Sequence, residues 1–247
     1  MPYLRSLSVK VIQREGMQHP RLLQALPETS FRLRSLTVSY PDPNDSIFSC
    51  IGDDLVSLSL CDSPRHYFQS RYSSESLLAI FPTLTSSECL TILKRVSAPR
   101  LSTRELVYEA DAAEDELLQY LPRAFPLLEE FELHRYPASP DDSVPHLHVT
   151  RMLTTIKYLR ALYLNLDITE DIYESWKVPR NRKAHDRLIT SRNARGRELV
   201  RILQTGEHFE YLALPVHALY AGMWTLYHPA WRPGSSIWAE HDSPHAV

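Results

Sequence analysis

The residues best suited to chemistry lie in a proline-bounded stretch near the middle of the chain. His146 and His148 are one residue apart, so on a strand both imidazoles would lie on one face, and the carboxylates of Asp141 and Asp142 are close by in sequence. Imidazole and carboxylate groups are zinc ligands. Because no spacing fixes a third ligand, the simpler interpretation is two surface histidines in a loop, and the sequence predicts no metal and no cofactor.

Signatures of nucleotide-binding and hydrolytic enzymes are missing from the sequence. The six glycines form no phosphate-cradling loop, and no nucleophile elbow occurs. We therefore predict a protein that is not an enzyme. The alternative is an enzyme whose active site is assembled from scattered residues such as His146, His148 and Asp142.

Two segments of opposite charge provide further candidate contacts. Residues 105–142 hold eleven Asp and Glu, and residues 177–201 hold nine Lys and Arg against two acidic residues. The acidic segment either attracts a basic partner or forms a solvated helix face. The basic segment, with Arg192, Arg195 and Arg197, either contacts phosphate or pairs with the acidic segment. Because it contains no groove-reading motif, nucleic-acid binding is the weaker alternative.

Composition and charge predict a folded, soluble protein. The 247 residues are 43% hydrophobic with a net charge of only −3, which argues against a nucleic-acid polycation. Cys50, Cys61 and Cys89 are too widely spaced for a disulfide framework, so a reducing compartment, cytoplasmic or nuclear, is expected. The first residues lack the apolar core of a signal peptide, and no apolar run is long enough to span a bilayer, so we expect no membrane partner.

A two-part phrase recurs along the chain and must position any functional residue. Its strand half has apolar residues at its first, fourth and sixth places, as in Leu128-Glu-Glu-Phe-Glu-Leu133, and its helix half ends in a leucine-rich turn such as 117–122. Alternation over six residues is typical of a strand with one buried face. Recurrence every 20–40 residues, broken only by a last interval of fifty residues from Leu159 to Phe209, indicates a stack of parallel strands backed by helices. The predicted phrases start at Leu4, Leu33, Leu55, Leu90, Leu128, Leu159 and Phe209.

Some intervals give weaker or different signals. Leu90 to Val96 is the least regular strand candidate, and a short strand is also possible at 106–108. Prolines 122 and 126 should end the helix through Leu117 and Leu121. Residues 152–156 carry the next helix.

The domain organisation follows from these intervals. We predict a degenerate repeat domain over residues 1–217, in which 177–201 is a basic insertion or an enlarged helix. Residues 218–247 form a carboxy-terminal cap or tail. Trp224, Trp231 and Trp238 can cover the open apolar end of a stack, although a partner-binding tail is the alternative.

The phrases resemble leucine-rich repeats, and more narrowly the carboxy-terminal region of fungal, mushroom-type F-box proteins. The resemblance covers nearly the whole chain and is carried by Tyr3-Leu-Arg-Ser-Leu7, Leu33-Arg-Ser-Leu36 and Glu130-Phe-Glu-Leu133. No asparagine follows the phrases at the place usual in leucine-rich repeats, so the repeats are irregular. The resemblance implies an irregular leucine-rich-repeat stack that serves as the substrate-recognition arm of an SCF-type ubiquitin ligase. The F-box is missing next to the first strand, so a Skp1-type adaptor is expected only if an F-box precedes Met1.

Equivalent outward positions on neighbouring strands of such a stack lie about 4.8 Å apart. The second positions of the phrase predict alternating ion pairs among Glu129, Arg160 and Glu210. Repeat proteins usually bind partners on their extended concave face, so we expect a protein partner of unknown identity there. The candidate contact residues are Glu129, Glu132, Arg160, Tyr163, Arg192, Arg195 and Arg197.

Overall fold

The computed structural model describes residues 4–11, 18–23, 31–63, 82–139, 142–166, 182–217, 222–229 and 238–239. The chain is an α/β protein of mostly parallel strands backed by helices. Contacts within it define two compact units, Met1–Leu128 and Glu129–Val247. The recurring phrase runs through both units, so the sequence analysis did not predict this division.

In the part of the amino-terminal unit that the structure describes, four parallel strands follow one another in sequence order. Leu7, Leu36 and Leu58 occupy the same row of the sheet on successive strands, and the hydroxyl residues that follow them, Ser8, Thr37 and Ser59, point to the other face. The strands are β1 (Ser6–Val9), β2 (Ser35–Ser39), β3 (Ser57–Cys61) and β4 (Thr103–Glu109).

The carboxy-terminal unit combines parallel and antiparallel pairs. Its first three strands are parallel, with Phe131, Leu162 and Leu212 in one row. The last two strands are antiparallel, and Trp224 of the fourth lies opposite Pro215 of the third. The strands are β5 (Glu130–Tyr136), β6 (Ala161–Asn165), β7 (Tyr211–His217), β8 (Gly222–Tyr227) and β9 (Trp238–Ala239).

In each unit, helices pack against one face of the strands. In the amino-terminal unit α2 packs against α1, α3 and β4, and in the carboxy-terminal unit α5 packs against α4, β7 and β8. The helices are α1 (Ile47–Cys50), α2 (Ser86–Arg95), α3 (Glu114–Ala124), α4 (His146–Leu153) and α5 (Arg182–Leu203).

The phrase produces the same local structure at most of its occurrences. Strands begin two residues after Leu4, Leu33, Leu55, Leu128, Leu159 and Phe209. Just before each later parallel strand within a unit, two successive backbone N–H groups donate to one carbonyl of the preceding strand segment. The N–H groups of Arg34 and Ser35 bind the carbonyl of Arg5, and those of Arg160 and Ala161 bind that of Glu129. These bonds fix the register, which keeps every apolar row on the buried side.

The predicted strand at Leu90 is wrong, because residues 86–95 form helix α2. Its apolar residues Cys89, Leu90, Ile92 and Leu93 follow a helical spacing and are buried. A capping box starts the helix: Thr85 Oγ1 accepts from the N–H of Glu88, and Glu88 Oε2 accepts from the N–H of Thr85. Lys94 and Arg95 lie in the last turn of this helix.

The strand between β3 and α3 is β4 instead. The short strand that the sequence predicted at 106–108 lies within it. Strand β4 begins two residues after Leu101, but Arg104 stands where the phrase has its second apolar residue. Arg104 is in register with Leu58 and is buried. A charged residue at an apolar position therefore concealed this repeat.

His146 and His148 lie in the first turn of α4, so they belong neither to a strand nor to the loop that the simpler interpretation expected. Residues two apart on a helix point in different directions. Helix α3 continues through Pro122 and ends at Ala124, before Pro126. The described part of the basic segment, 182–201, belongs to the 22-residue helix α5.

Other predictions meet the structure only in part. Trp224 lies in β8 and is buried, and the backbone of Trp238 lies in β9, whereas Trp231 and residues 177–181 lie outside the described residues. Among the described helices, none combines the length and the apolar character needed to cross a membrane.

Candidate functional site

The contact of Tyr227 with α5 shows which face of the strands in the carboxy-terminal unit lies against that helix. The Tyr227 hydroxyl donates to Asn193 Oδ1 of α5 at 3.0 Å, so Tyr227 points toward the helix. Its neighbours Leu226 and His228 therefore point to the opposite face. Ala213 is the partner of Leu226, and Tyr163 is the partner of Ala213. Alternate residues of β5 to β8 thus form a sheet face that lies opposite α5.

Aromatic side chains dominate this face, and we call His134, Tyr163, Tyr211, Trp224 and His228 the aromatic face. The Tyr163 ring meets those of Trp224 and Tyr211 edge to face, at centroid distances of 5.3 and 5.9 Å. The Tyr211 ring lies 5.9 Å from that of His228. His134 and Trp224 are buried, whereas Tyr163, Tyr211 and His228 are partly exposed. The face is therefore an array of rings in mutual contact with an accessible rim.

A buried polar network supports one side of the aromatic face. Asn165 Nδ2 donates to His134 Nδ1 at 3.2 Å, so the neutral ring carries its proton on Nε2, which donates to Glu132 Oε1 at 2.7 Å. The ring of Trp224 packs edge-on against that of His134 at 5.9 Å. These contacts fix the orientation of His134 and, through Trp224, of Tyr163.

The two tyrosine hydroxyls of the face are hydrogen-bonded to each other. Tyr163 Oη and Tyr211 Oη are 2.8 Å apart. Burial raises the pKa of Tyr163 strongly, the hydrogen bond to Tyr211 raises it further, and the carboxylates of Glu130 and Glu132 add to the same effect. The Tyr163 hydroxyl therefore remains protonated at neutral pH, and it shares a hydrogen bond with the Tyr211 hydroxyl.

The predicted ion pairs among Glu129, Arg160 and Glu210 are confirmed. Arg160 Nε and Nη2 lie 2.9 and 2.8 Å from Glu210 Oε1, and Nη1 lies 3.5 Å from Glu129 Oε2. All three side chains are about half exposed. The ladder lies just before β5, β6 and β7, and therefore borders the sheet at the end where the chain enters these strands.

The other candidate contact residues differ widely in exposure. Glu132 is buried beside His134, and Arg192 of α5 is also buried, so neither presents its charge to solvent. Arg195 and Arg197 are half-buried, and Arg197 Nε donates to the carbonyl of Asn193. Residues 192–197 therefore expose little of the positive charge that the sequence carries.

The residues of the enzyme alternative take part in separate local contacts. Asp142 Oδ2 accepts from the N–H of Ser139 at 3.0 Å, and His146 Nδ1 donates to the carbonyl of Val144 at 3.3 Å. His148 is exposed on α4. Asp142 and His146 therefore bond to different backbone groups.

A polar cluster in the amino-terminal unit was not predicted. His19 Nε2 lies 3.1 Å from Glu88 Oε1, and the His19 ring stacks on Tyr40 at 4.1 Å. Tyr40 has a positive φ of 43°, which is uncommon for a bulky residue. Arg21 and Asp42 form an ion pair beside a surface pocket that His19 also lines. His19 carries no motif in the sequence that would have revealed this arrangement.

Sequence reasoning found Tyr163 but missed His134, Tyr211 and Trp224. Counted from the first leucine of the phrase, the predicted residues Arg160 and Tyr163 occupy its second and fifth positions, whereas Tyr211 occupies the third position and His134 the seventh. The third, fifth and seventh positions lie on one face of a strand. Including the third and seventh positions among the candidates would therefore have identified Tyr211 and His134. Trp224 lies in an antiparallel strand outside the phrase.

Comparison with protein-family models, with curated proteins and with solved structures finds no match for this chain.

Proposed function

We propose that this chain is a non-catalytic protein-recognition domain built from irregular leucine-rich repeats. The recurring phrase, the parallel pairing and the repeated hydrogen bonds before the strands support this architecture. In this proposal β8 and β9 form the carboxy-terminal cap that the tryptophans of the tail predict.

The aromatic face carries the recognition role. Tyr163, Tyr211 and His228 are partly exposed on the sheet face opposite α5, and packing and hydrogen bonds hold the two tyrosine rings. Tyrosine and tryptophan contribute large contact areas at a small entropic cost, and they are enriched among residues that dominate binding energy. A pre-ordered aromatic array therefore favours binding of another protein.

The resemblance to F-box proteins supplies the biological setting of this proposal. The partner is then a protein recruited for ubiquitination, and a Skp1-type adaptor binds only a longer chain in which an F-box precedes Met1. Cys50, Cys61 and Cys89 are buried thiols that form no disulfide bond with one another, which supports a cytoplasmic or nuclear setting.

Site-specific photocrosslinking tests the recognition role. A photoreactive phenylalanine analogue replaces Leu226 on the sheet face of the aromatic residues or, as a control, the exposed Arg187 of α5. We expect a defined partner to be labelled from position 226 only, and the purified partner to bind the Tyr211→Ala variant at least tenfold more weakly. Equal labelling from both positions, or unchanged affinity of the variant, would contradict the proposal.

A further inference from the structure

Carboxylates are the charged groups on the sheet face that holds the aromatic residues. Glu130, the exposed first residue of β5, lies in the same row as Ala161 and Tyr211. Glu132 lies in the next row, beside Tyr163. The two carboxylates therefore approach the tyrosine pair from the side of β5.

Positive charge is missing from the same positions. The described outward residues of β5 to β8, together with His228, include no Lys or Arg. At the neighbouring edge, Arg160 faces the two carboxylates of Glu129 and Glu210, which leaves an excess of one negative charge. The electrostatic potential of this face is thus negative next to partly exposed tyrosine rings.

Aromatic rings and carboxylates together attract one type of side chain. The face of a tyrosine ring is negative and binds ammonium and guanidinium groups, and an arginine can stack on a ring while its N–H groups donate to a carboxylate. Negatively charged groups would be repelled by Glu130 and would gain nothing from the ring faces.

We propose that the aromatic face binds a basic segment of its partner, with an arginine or lysine side chain held between Glu130 and the rings of Tyr163 and Tyr211. This inference rests on the proposed recognition role and adds the chemistry of the partner. Glu130 supplies the charge, the tyrosine rings supply the stacking surface, and the network around His134 holds the rings in place.

Peptides of defined charge test the proposal. The probes are fluorescein-labelled peptides of alternating arginine and glycine, of citrulline and glycine, and of glutamate and glycine. Citrulline keeps the shape of arginine without its charge. We expect the arginine peptide to bind roughly tenfold more tightly than the citrulline peptide, and the glutamate peptide to show no binding. Equal binding of the arginine and citrulline peptides would overturn the inference.

A matched pair of charge reversals separates local recognition from general attraction. Glu130→Lys and Glu198→Lys change the net charge equally, but Glu198 is exposed on α5. We expect Glu130→Lys to weaken binding of the arginine peptide roughly tenfold, while Glu198→Lys leaves it nearly unchanged. Equal weakening by both variants would contradict a specific site. Because Glu130 is exposed, its replacement tests binding without disturbing the core.

The two proposals fail in distinguishable ways. If position 226 labels a defined partner while the arginine peptide does not bind, the basic-segment inference is wrong and the recognition role stands. If the arginine peptide binds through Glu130 but positions 226 and 187 label proteins equally, the proposed recognition role is wrong.

Discussion

The guanidinium of Arg160 binds one oxygen of Glu210 through two nitrogens, with Nε and Nη2 at 2.9 and 2.8 Å from Oε1. The two residues lie on neighbouring segments that enter β6 and β7, so the contact reports the register of the parallel strands. The longer contact of Arg160 with Glu129, at 3.5 Å, extends the ladder to β5. By these distances, Glu210 should contribute more than Glu129 to the free energy of unfolding.

Glu210→Gln should lower the urea midpoint of unfolding slightly more than Glu129→Gln, because Glu210 makes the shorter, two-nitrogen contact. Both effects should be small and should disappear in high salt, since exposed ion pairs are screened. Equilibrium urea denaturation at low and high salt measures them. Glu207→Gln, at an exposed carboxylate in the turn after α5, is the control. A loss that persists in high salt would show that the ladder acts through packing instead of charge.

Arg104→Met should stabilise the protein by about 1 to 4 kcal/mol. Arg104 is fully buried over the Phe125 ring, and none of its three side-chain nitrogens has a hydrogen-bond partner among the described residues. Burial lowers the pKa of Arg104 to about 9, so the charged form present at neutral pH costs free energy. Methionine fills a similar volume beside Leu58 without a charge. Denaturant unfolding at neutral pH gives the change.

Arg104→Lys is the informative counterpart of that substitution. Lysine keeps the charge but loses the planar stacking on Phe125, so Arg104→Lys should destabilise the protein. If Arg104→Met were as destabilising as Arg104→Lys, the stacked guanidinium would make a net favourable contribution, and the interpretation of Arg104 as a costly buried charge would be wrong.

Sequence reasoning succeeded where one face of a strand is buried. The spacing of Leu33, Leu55 and Leu159 located strands, because each leucine precedes a segment of alternating apolar and polar residues. Burial of the apolar residues determines the register of such a segment. The same register predicted the contacts of Arg160. It failed at Leu90, because a short apolar run at helical spacing also fits a strand, and at Arg104, because the pattern cannot recognise a charged residue in an apolar row.

The candidate site was only partly predictable for a related reason. Tyr163 follows from the phrase, but its contact with Trp224 depends on an antiparallel strand that carries no repeat signal. Arg192 is buried because of the side of α5 that packs against the sheet. The charges of the basic segment do not predict which side of the helix that is. Tertiary packing therefore determines both the contact of Tyr163 with Trp224 and the burial of Arg192.

Gly196→Ala should destabilise the carboxy-terminal unit. A Cβ atom at Gly196 would lie 2.5 Å from Cε1 of Tyr227, which is buried and hydrogen-bonded to Asn193. The resulting overpacking costs about 1 to 3 kcal/mol, against a helix-propensity gain of about 1 kcal/mol. Thermal unfolding measures the net loss.

The control for this substitution is Gly206→Ala, whose Cβ would meet its neighbours at 3.5 Å or more and should be nearly neutral. If the clash with the ring causes the loss, adding Tyr227→Leu to Gly196→Ala should cost less than the sum of the single effects. Additive losses would instead indicate that Gly196 and Tyr227 are independent.

Tyr163→Phe should reduce the loss of stability at high pH. The raised pKa of Tyr163, caused first by burial and then by its bond to Tyr211, exceeds the unfolded value of about 10. The folded state therefore holds this proton more tightly, and the stabilisation is complete below about pH 10 and is lost as the pH rises toward the folded pKa. Unfolding midpoints measured from neutral to alkaline pH should fall less steeply for Tyr163→Phe. Identical slopes would contradict the raised pKa.

Thr85→Ala should destabilise the amino-terminal unit by about 1 kcal/mol, because Thr85 caps α2 and its hydroxyl accepts from the N–H of Glu88. Thr91→Ala, on the exposed side of the same helix, removes only a hydroxyl bound to the carbonyl of Ser87, and alanine favours the helix there. Denaturant unfolding of both variants should therefore show a loss for Thr85→Ala and none for Thr91→Ala. Equal effects would mean that the capping box contributes nothing beyond a surface hydroxyl, and α2 would then depend on the burial of Cys89, Ile92 and Leu93 alone.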